Sequence, residues 1–404
     1  MKTTSLRGGF LKKFIGDRAF YTMVLALIVP MILQDAITSF VGLLDNIMVG
    51  QTGTEQMSGV AIANQLLMVY NMSIFGGNGG AGIFAAQFHG KGDPDGVRHT
   101  LRYKLLMGGG LSLAALVLFG FCDGQLIGLF LHESADGGDL ALTLASGKAY
   151  LRVMLLGILP FAVAQAYATT LREVGETSLP MKAGIIAVLV NLAGNFLLIY
   201  PTRTLTVLGV CVLMPGAGLG VVGAAVATVV SRFVEFGIVA VWSHTHTERF
   251  PFFKQVWHSL RLPGGLTWSI IRKGMPLLVN EFIWSFSMTS INQCYSVRGL
   301  DAIAACNISQ TFWNVFSIAY MSVGIAVGII LGQMLGANQL KEAKESSGKM
   351  IAFACTMAIG IGIIYSVCAE FIPFVYNTEP EIRHLATRIM QITAIAMPFD
   401  AITH

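Results

Sequence analysis

The sequence predicts an all-α integral membrane protein, two parallel pseudo-symmetric six-helix bundles with the second incomplete and about ten transmembrane helices present. Three observations carry this prediction. Hydrophobic residues fill 54 % of 404 positions and charged residues only 12 %, against about 25 % in ordinary globular chains. Mean hydropathy is +0.67. So few charges cannot cover soluble domains of this size, and disorder or coiled coil would need many more polar residues. The second observation is a series of apolar runs, each near the roughly 20 residues that cross a bilayer. The third is an internal repeat.

The chain opens with a basic segment, residues 1–19, expected to be cytoplasmic. Its first apolar run, 20–44, is too long for a signal peptide and lacks a small-x-small cleavage site, so it is read as a retained helix. Further spans are expected at 57–85, 101–121, 143–168, 181–200 and 216–242, closing an N-lobe over 20–242. Four more follow at 274–297, 302–334, 350–374 and 385 to the end, forming a C-lobe over 274–404. With the N-terminus inside, 19 of the 26 Lys and Arg residues fall on inner segments and six on outer ones, as the positive-inside rule requires. Arg232 lies within a span. The polar stretch 243–273 lies inside and joins the lobes; its aromatics and basic residues predict an amphipathic connector on the inner leaflet.

An offset of 246 residues superposes the halves without a gap. Pro30 falls on Pro276, Asn46 on Asn292, Gly82-Ile83 on Gly328-Ile329, Gln87 on Gln333 and Gly90 on Gly336, among twelve identities in 61 positions. Six helices return a half to its starting side, so the copies are parallel, about an axis along the membrane normal. Later Pro160 pairs with Pro398, and His404 then corresponds to about position 166. The second half is therefore expected to stop in its fourth helix, leaving a C-terminally truncated twelve-helix design.

Charges at mid-bilayer cost about 2.5–3.5 kcal/mol each on insertion scales, so each demands a reason. Asp35 and Glu281 are one repeat apart, each five residues after its helix proline, Pro30 or Pro276. Each also follows an amide, Gln34 or Asn280. Together these six residues are expected to line a cavity, the prolines freeing backbone carbonyls as in broken-helix transporters; a pair of protonated acids bonded within each bundle is the alternative. Asp45 ends helix 1, ~15 Å of helix beyond Asp35 toward the outer side. By spacing alone it could be merely a solvated helix terminus. Asn191 and Asn195 share one face of helix 5, as a polar pair or as interhelical glue. Arg232 and Glu235 are expected to pair as a structural lock.

The run Phe75–Gly82, FGGNGGAG, lacks the strand and the Lys-Ser/Thr of a phosphate loop and is read as close helix contact. No Walker motif, HExxH or Ser/His/Asp set occurs, so an enzyme is not expected, nor a cofactor. Six scattered cysteines without CxxC read as small apolar residues rather than metal ligands. A net charge of +4, dispersed among apolar spans, argues against nucleic acid. Membrane lipid is the expected surrounding, and a monomer is favoured.

The segments VPMILQD, LLDNIMVGQTG, AQFHGKGD, NLAGNFLLIY and GAAVAT, with GMPLLVNE and IILGQMLGANQLKEAK in the second half, resemble the multidrug and toxic compound extrusion (MATE) transporters, most nearly bacterial members. The likeness runs from about Ile28 to the end. It implies two six-helix lobes that open alternately to each side of a bacterial plasma (inner) membrane. It implies export of cationic or amphipathic compounds, driven by inward H⁺ or Na⁺. On this resemblance Asp45 belongs to an N-lobe ion site that takes the coupling H⁺ or Na⁺ and no other metal or cofactor, with Asn191, Asn195 and Thr228 as partners; Asp35 is expected to assist it. A lipid-linked sugar flippase of the same superfamily, and a truncated membrane protein that does not transport, are the alternative readings.

Overall fold

The computed structural model describes residues 14–130, 139–207, 210–296, 300–375 and 380–403. Helix α1 spans Arg18–Gly50 with Pro30 inside it, and α2 spans Thr54–Lys91. Helix α3, Pro94–Phe121, begins on a proline, whose missing N–H costs nothing in the first turn. A short α4, Asp123–Gly128, precedes α5, Leu140–Met154, which Asp139 caps by accepting from the Ala141 and Leu142 amides. A three-residue 3₁₀ turn, Leu155–Gly157, separates α5 from α6, Ile158–Glu173. Then come α7, Ser178–Leu198, and α8, Val221–Thr245. The last four helices are α9, Gly264–Ser296, α10, Leu300–Gly336, α11, Leu340–Cys368, and α12, Pro380–Thr403.

Each expected span overlaps a helix, and most helices begin several residues before it, because their polar ends continue the same backbone hydrogen bonding. Eight spans among the described residues are long and apolar enough to cross a membrane, the fourth of them being α5 and α6 together. Helices α9 and α12 stand where two more were expected but do not reach that apolarity. Arg272, Lys273 and Glu281 dilute the first, and Glu381, Arg383, Arg388 and Asp400 the second.

Two connections differ from expectation. Helix α8 begins at Val221, not near 216, because residues 201–217 form a hairpin of strands β1, Pro201–Val207, and β2, Val210–Ala217. The strands pair antiparallel, with Thr204 opposite Leu213 and Thr206 opposite Cys211. Their alternating Thr, Leu and Val residues favour pleated backbone over helix. The connector after α8 is not an amphipathic helix. It forms two 3₁₀ turns, Pro251–Phe253 and Val256–His258, whose Phe252, Phe253 and Val256 are buried. Arg98 donates to the Phe252 and Pro251 carbonyls, both at 3.2 Å, and Arg102 donates to those of Val256 (2.9 Å) and Gln255 (2.6 Å). Those bonds tie the connector to α3, and Tyr167 of α6 stacks on Phe253.

The chain divides into two compact units. One comprises residues 1–36, 86–93 and 279–404; the other comprises 37–85 and 94–278. In the first, Phe20, Val24 and Ile28 of α1 pack with Val323, Ala326 and Ile330 of α10 and Met350 of α11. Its second cluster gathers Tyr320, Tyr365, Met390 and Met397. Gln87 and Gly90 of α2 meet their repeat equivalents Gln333 and Gly336 of α10 in this unit. A Cβ on Gly90 would overlap the Gln333 carbonyl, and one on Gly336 would overlap the Gln87 carbonyl. The repeat is thus a reciprocal contact in space. In the second unit Tyr70, Ile74, Tyr150, Leu151, Met154, Ile158 and Ala225 form the core. Large apolar side chains such as Phe121 (85 % exposed), Ile363 and Phe399 face outward, as lipid-facing residues do.

Candidate ion and substrate site

The C-terminal part of α1 carries Asp45 into the second unit, where α7 and α8 supply its partners. Helices α7 and α8 approach closely at Gly194, where an added Cβ would lie 2.8 Å from the Ala227 Cβ. That approach brings the polar faces of both helices to the carboxylate. Asn195, almost fully buried, donates from Nδ2 to Asp45 Oδ1 at 2.6 Å. The hydrogen-bond network places the Asn191 amide nitrogen toward the same carboxylate, 2.8 Å from Oδ2 and 3.1 Å from Oδ1. Asn191 then accepts from Thr228 Oγ1 at 3.1 Å. The single Thr228 hydroxyl proton also has the Ala224 carbonyl within reach, at 3.0 Å, as the alternative acceptor. Tyr150 of α5 donates to Asn64 at 3.2 Å and lies within electrostatic reach of Asp45. Tyr200 covers the end of α1, its hydroxyl donating to Gln51 Oε1 at 2.7 Å with the Met48 carbonyl 3.2 Å away.

Asp45, Asn191, Asn195 and Thr228 therefore converge from three helices. The half-buried carboxylate receives two amide N–H groups and has no countercharge within 4 Å among the described residues. Asn195 Oδ1 is buried with no hydrogen-bond partner, which is unusual for a buried amide. Carboxylate, amide and hydroxyl oxygens are the hard donors that small cations take. The described residues hold no cluster of three or more His, Cys, Asp or Glu placed to bind a metal.

Asp35 is not part of this group. It is exposed on the stretch of α1 that belongs to the first unit, and ten residues of helix, ~15 Å, separate it from Asp45. Gln34 beside it is half-buried, and Asn280 is exposed. Pro30 and Pro276 lie inside α1 and α9. The Glu281 side chain lies outside the described residues. Arg232 and Glu235 form no ion pair, contrary to expectation. Arg232 turns instead toward Gly157 and lies 4.9 Å over the Phe161 ring, because its long stem carries the guanidinium to the α5–α6 break. The glycine run meets other helices as expected: a Cβ on Gly80 would lie 2.8 Å from Gly274 Cα.

Two polar groups escaped the sequence reading. Tyr320, deeply buried, donates to Asp400 Oδ2 at 2.8 Å in the first unit. Its signal was an acid two residues after Pro398, the repeat partner of Pro160. The second is Lys104, whose Nζ reaches Glu173 Oε1 and Oε2 at 2.7 and 2.6 Å. Lys104 stands near the start of α3 and Glu173 at the end of α6, where charges read as ordinary flanks.

The MatE family profile matches residues 30–197 and 276–404. The chain belongs to the MatE family. Asp45, Asn191, Asn195 and Glu281 fall inside the matched segments, and Thr228 falls between them. The chain is 23 % identical over 386 residues to the multidrug resistance protein MdtK of Edwardsiella ictaluri, covering 94 % of this chain and 79 % of that one. It is 25 % identical over 389 residues to the probable multidrug resistance protein NorM of Thermotoga maritima, covering 94 % and 77 %. The fold is similar to a multidrug resistance MATE family transporter of the MOP superfamily in its outward-facing conformation. That match has a TM-score of 0.80 and 18 % identity, covering 96 % of this chain and 83 % of the other. A MATE structure in the bent conformation also gives 0.80, at 17 % identity and 95 % and 81 % coverage. As a MatE protein the chain is a multi-pass membrane transporter, a class distinct from enzymes.

Proposed function

We propose that this MatE protein is a cation-coupled antiporter that exports cationic or amphipathic small molecules across a bacterial plasma membrane, with its N-terminus in the cytoplasm. The observation that carries the reading is Asp45, bonded by Asn195 and Asn191 beside an unpartnered buried Asn195 oxygen. Ionised, the carboxylate holds the outer part of α1 against α7. A bound H⁺ removes its charge and one or more acceptor sites. A bound Na⁺ recruits its oxygens together with those of Asn195 and Thr228. Either event changes what α1 gains from this packing, and Pro30, which removes one backbone hydrogen bond, lets the helix respond. The names of the MdtK and NorM relatives support small-molecule export as the work being driven.

The test follows a fluorescent cationic dye in everted vesicles carrying the chain, while ΔpH and the Na⁺ gradient are collapsed separately. Dye movement should depend on one gradient, which names the ion, and Asp45→Asn should remove that dependence. Gradient-dependent movement that survives Asp45→Asn would sink the assignment.

A further inference from the structure

Arg232 is a half-buried cation near the midpoint of α8, and nothing in the ion-site reading uses it. A guanidinium carries five N–H donors. Here one of them reaches the Gly157 carbonyl, at a long 3.5 Å, and no carboxylate lies within 4.0 Å among the described residues. Glu235, three residues on, and the hydroxyls of Tyr70 and Tyr150 act on it only through space. A charge this deep in a membrane helix normally has a partner or a task.

Its surroundings are built. The guanidinium sits over Phe161, which packs against Tyr70 at 6.3 Å and Phe75 at 6.4 Å between ring centroids. It also sits at the 3₁₀ interruption between α5 and α6, where Tyr70 donates to the Ile158 carbonyl at 3.0 Å. A mid-helix 3₁₀ turn often marks a functional site. Four N–H donors without a hydrogen-bond partner among the described residues, aromatic faces and a broken helix together suit an anionic group attached to an apolar ring system.

The geometry points to a second site in this lobe, where Arg232 receives the carboxylate of an amphipathic aromatic substrate while Phe161 and Phe75 meet its rings. It deepens the export reading and rests on it for the word substrate. Binding itself does not depend on coupling. Arg232's planar fork matches a carboxylate with two parallel hydrogen bonds, which a lysine cannot reproduce.

The experiment uses the full chain, purified into phosphatidylcholine nanodiscs, and one xanthene dye in two forms. The free acid is zwitterionic and the ethyl ester is a cation with the same rings. Fluorescence anisotropy should show Arg232→Gln weakening the acid by about tenfold, the scale of a charge-assisted hydrogen bond, with the ester changed less than about twofold. Arg232→Lys, which keeps the charge and protects against a folding artefact, should fall between. Equal loss for both dyes, no loss for the acid, or no acid binding by the unsubstituted chain would each overturn the site. So would complete displacement of the acid in phosphatidylglycerol nanodiscs, which assigns the guanidinium to a lipid phosphate. If acid binding follows Arg232 while Asp45→Asn leaves transport intact, the coupling role fails and this site stands.

Discussion

Lys104 shows what one fully buried charge must satisfy. Its ammonium has three donors, and they are taken by Glu173 and by the hydroxyls of Thr169 (3.1 Å) and Thr170 (3.2 Å). Removing one member leaves the other charge buried and unpaired, a loss of ~3–5 kcal/mol, whereas replacing both with apolar groups is often nearly neutral. Lys104→Met should therefore lower the thermal unfolding temperature sharply, and Lys104→Met with Glu173→Leu should recover most of it. Asp123, outside the spans, sets a pH limit. Burial pushes its carboxyl up, but the Arg152 hydrogen bond (2.8 Å), the Gly124 N–H (2.6 Å) and the charges of Arg152 and Lys148 outweigh it, holding it below the usual carboxylate range. The unfolded chain then takes the proton first. This contribution is complete above about pH 4 and is lost as pH falls through the lowered value. Asp123→Asn should flatten the acid limb of an unfolding-temperature profile measured against pH.

At the scale of elements, the connector between α8 and α9 gains its shape from carbonyls bonded to α3. Short 3₁₀ turns leave carbonyls with spare acceptor capacity, and Arg98 and Arg102 donate to four of them, two of which already accept from the turn's own amides. Arg102, buried, holds the two carbonyls next to Lys254. Arg102→Leu should free this segment and speed tryptic cleavage after Lys254, read by mass spectrometry of short digests. An unchanged cleavage rate would mean that the buried Phe252, Phe253 and Val256 hold the segment by themselves. The hairpin over 201–217 shows the opposite balance, since its strands pair through their own backbones.

At the scale of the whole molecule, the repeat is visible twice, as a sequence offset and as the reciprocal Gln87–Gly336 and Gln333–Gly90 contact. Both glycines permit backbone to touch backbone. Gly90→Ala and Gly336→Ala should each destabilise the fold by ~1–3 kcal/mol, the range for overpacking. The two losses should not add, because the first alanine already parts the helices. Thermal unfolding of both singles and the double variant decides this; full additivity would mean that the contacts are independent.

Composition and the spacing of apolar runs determined the membrane class, the helix order and the repeat, because a bilayer demands continuous apolar length and self-satisfied backbone wherever helices cross it. The same logic made Asn191 and Asn195 legible as neighbours, since an i, i+4 pair shares a helix face whatever surrounds it. Thr228 came from family resemblance and took its place beside Asn191 in the structure. Spacing alone left Asp45 open and family resemblance named it; the tertiary structure decided how it meets those amides. The Gly194–Ala227 approach and the path of α1 bring Asp45 within hydrogen-bond reach of them. It likewise decided that Arg232 turns to Phe161 rather than to Glu235. A long side chain's partner depends on which helix stands beside it, and local spacing does not contain that neighbour.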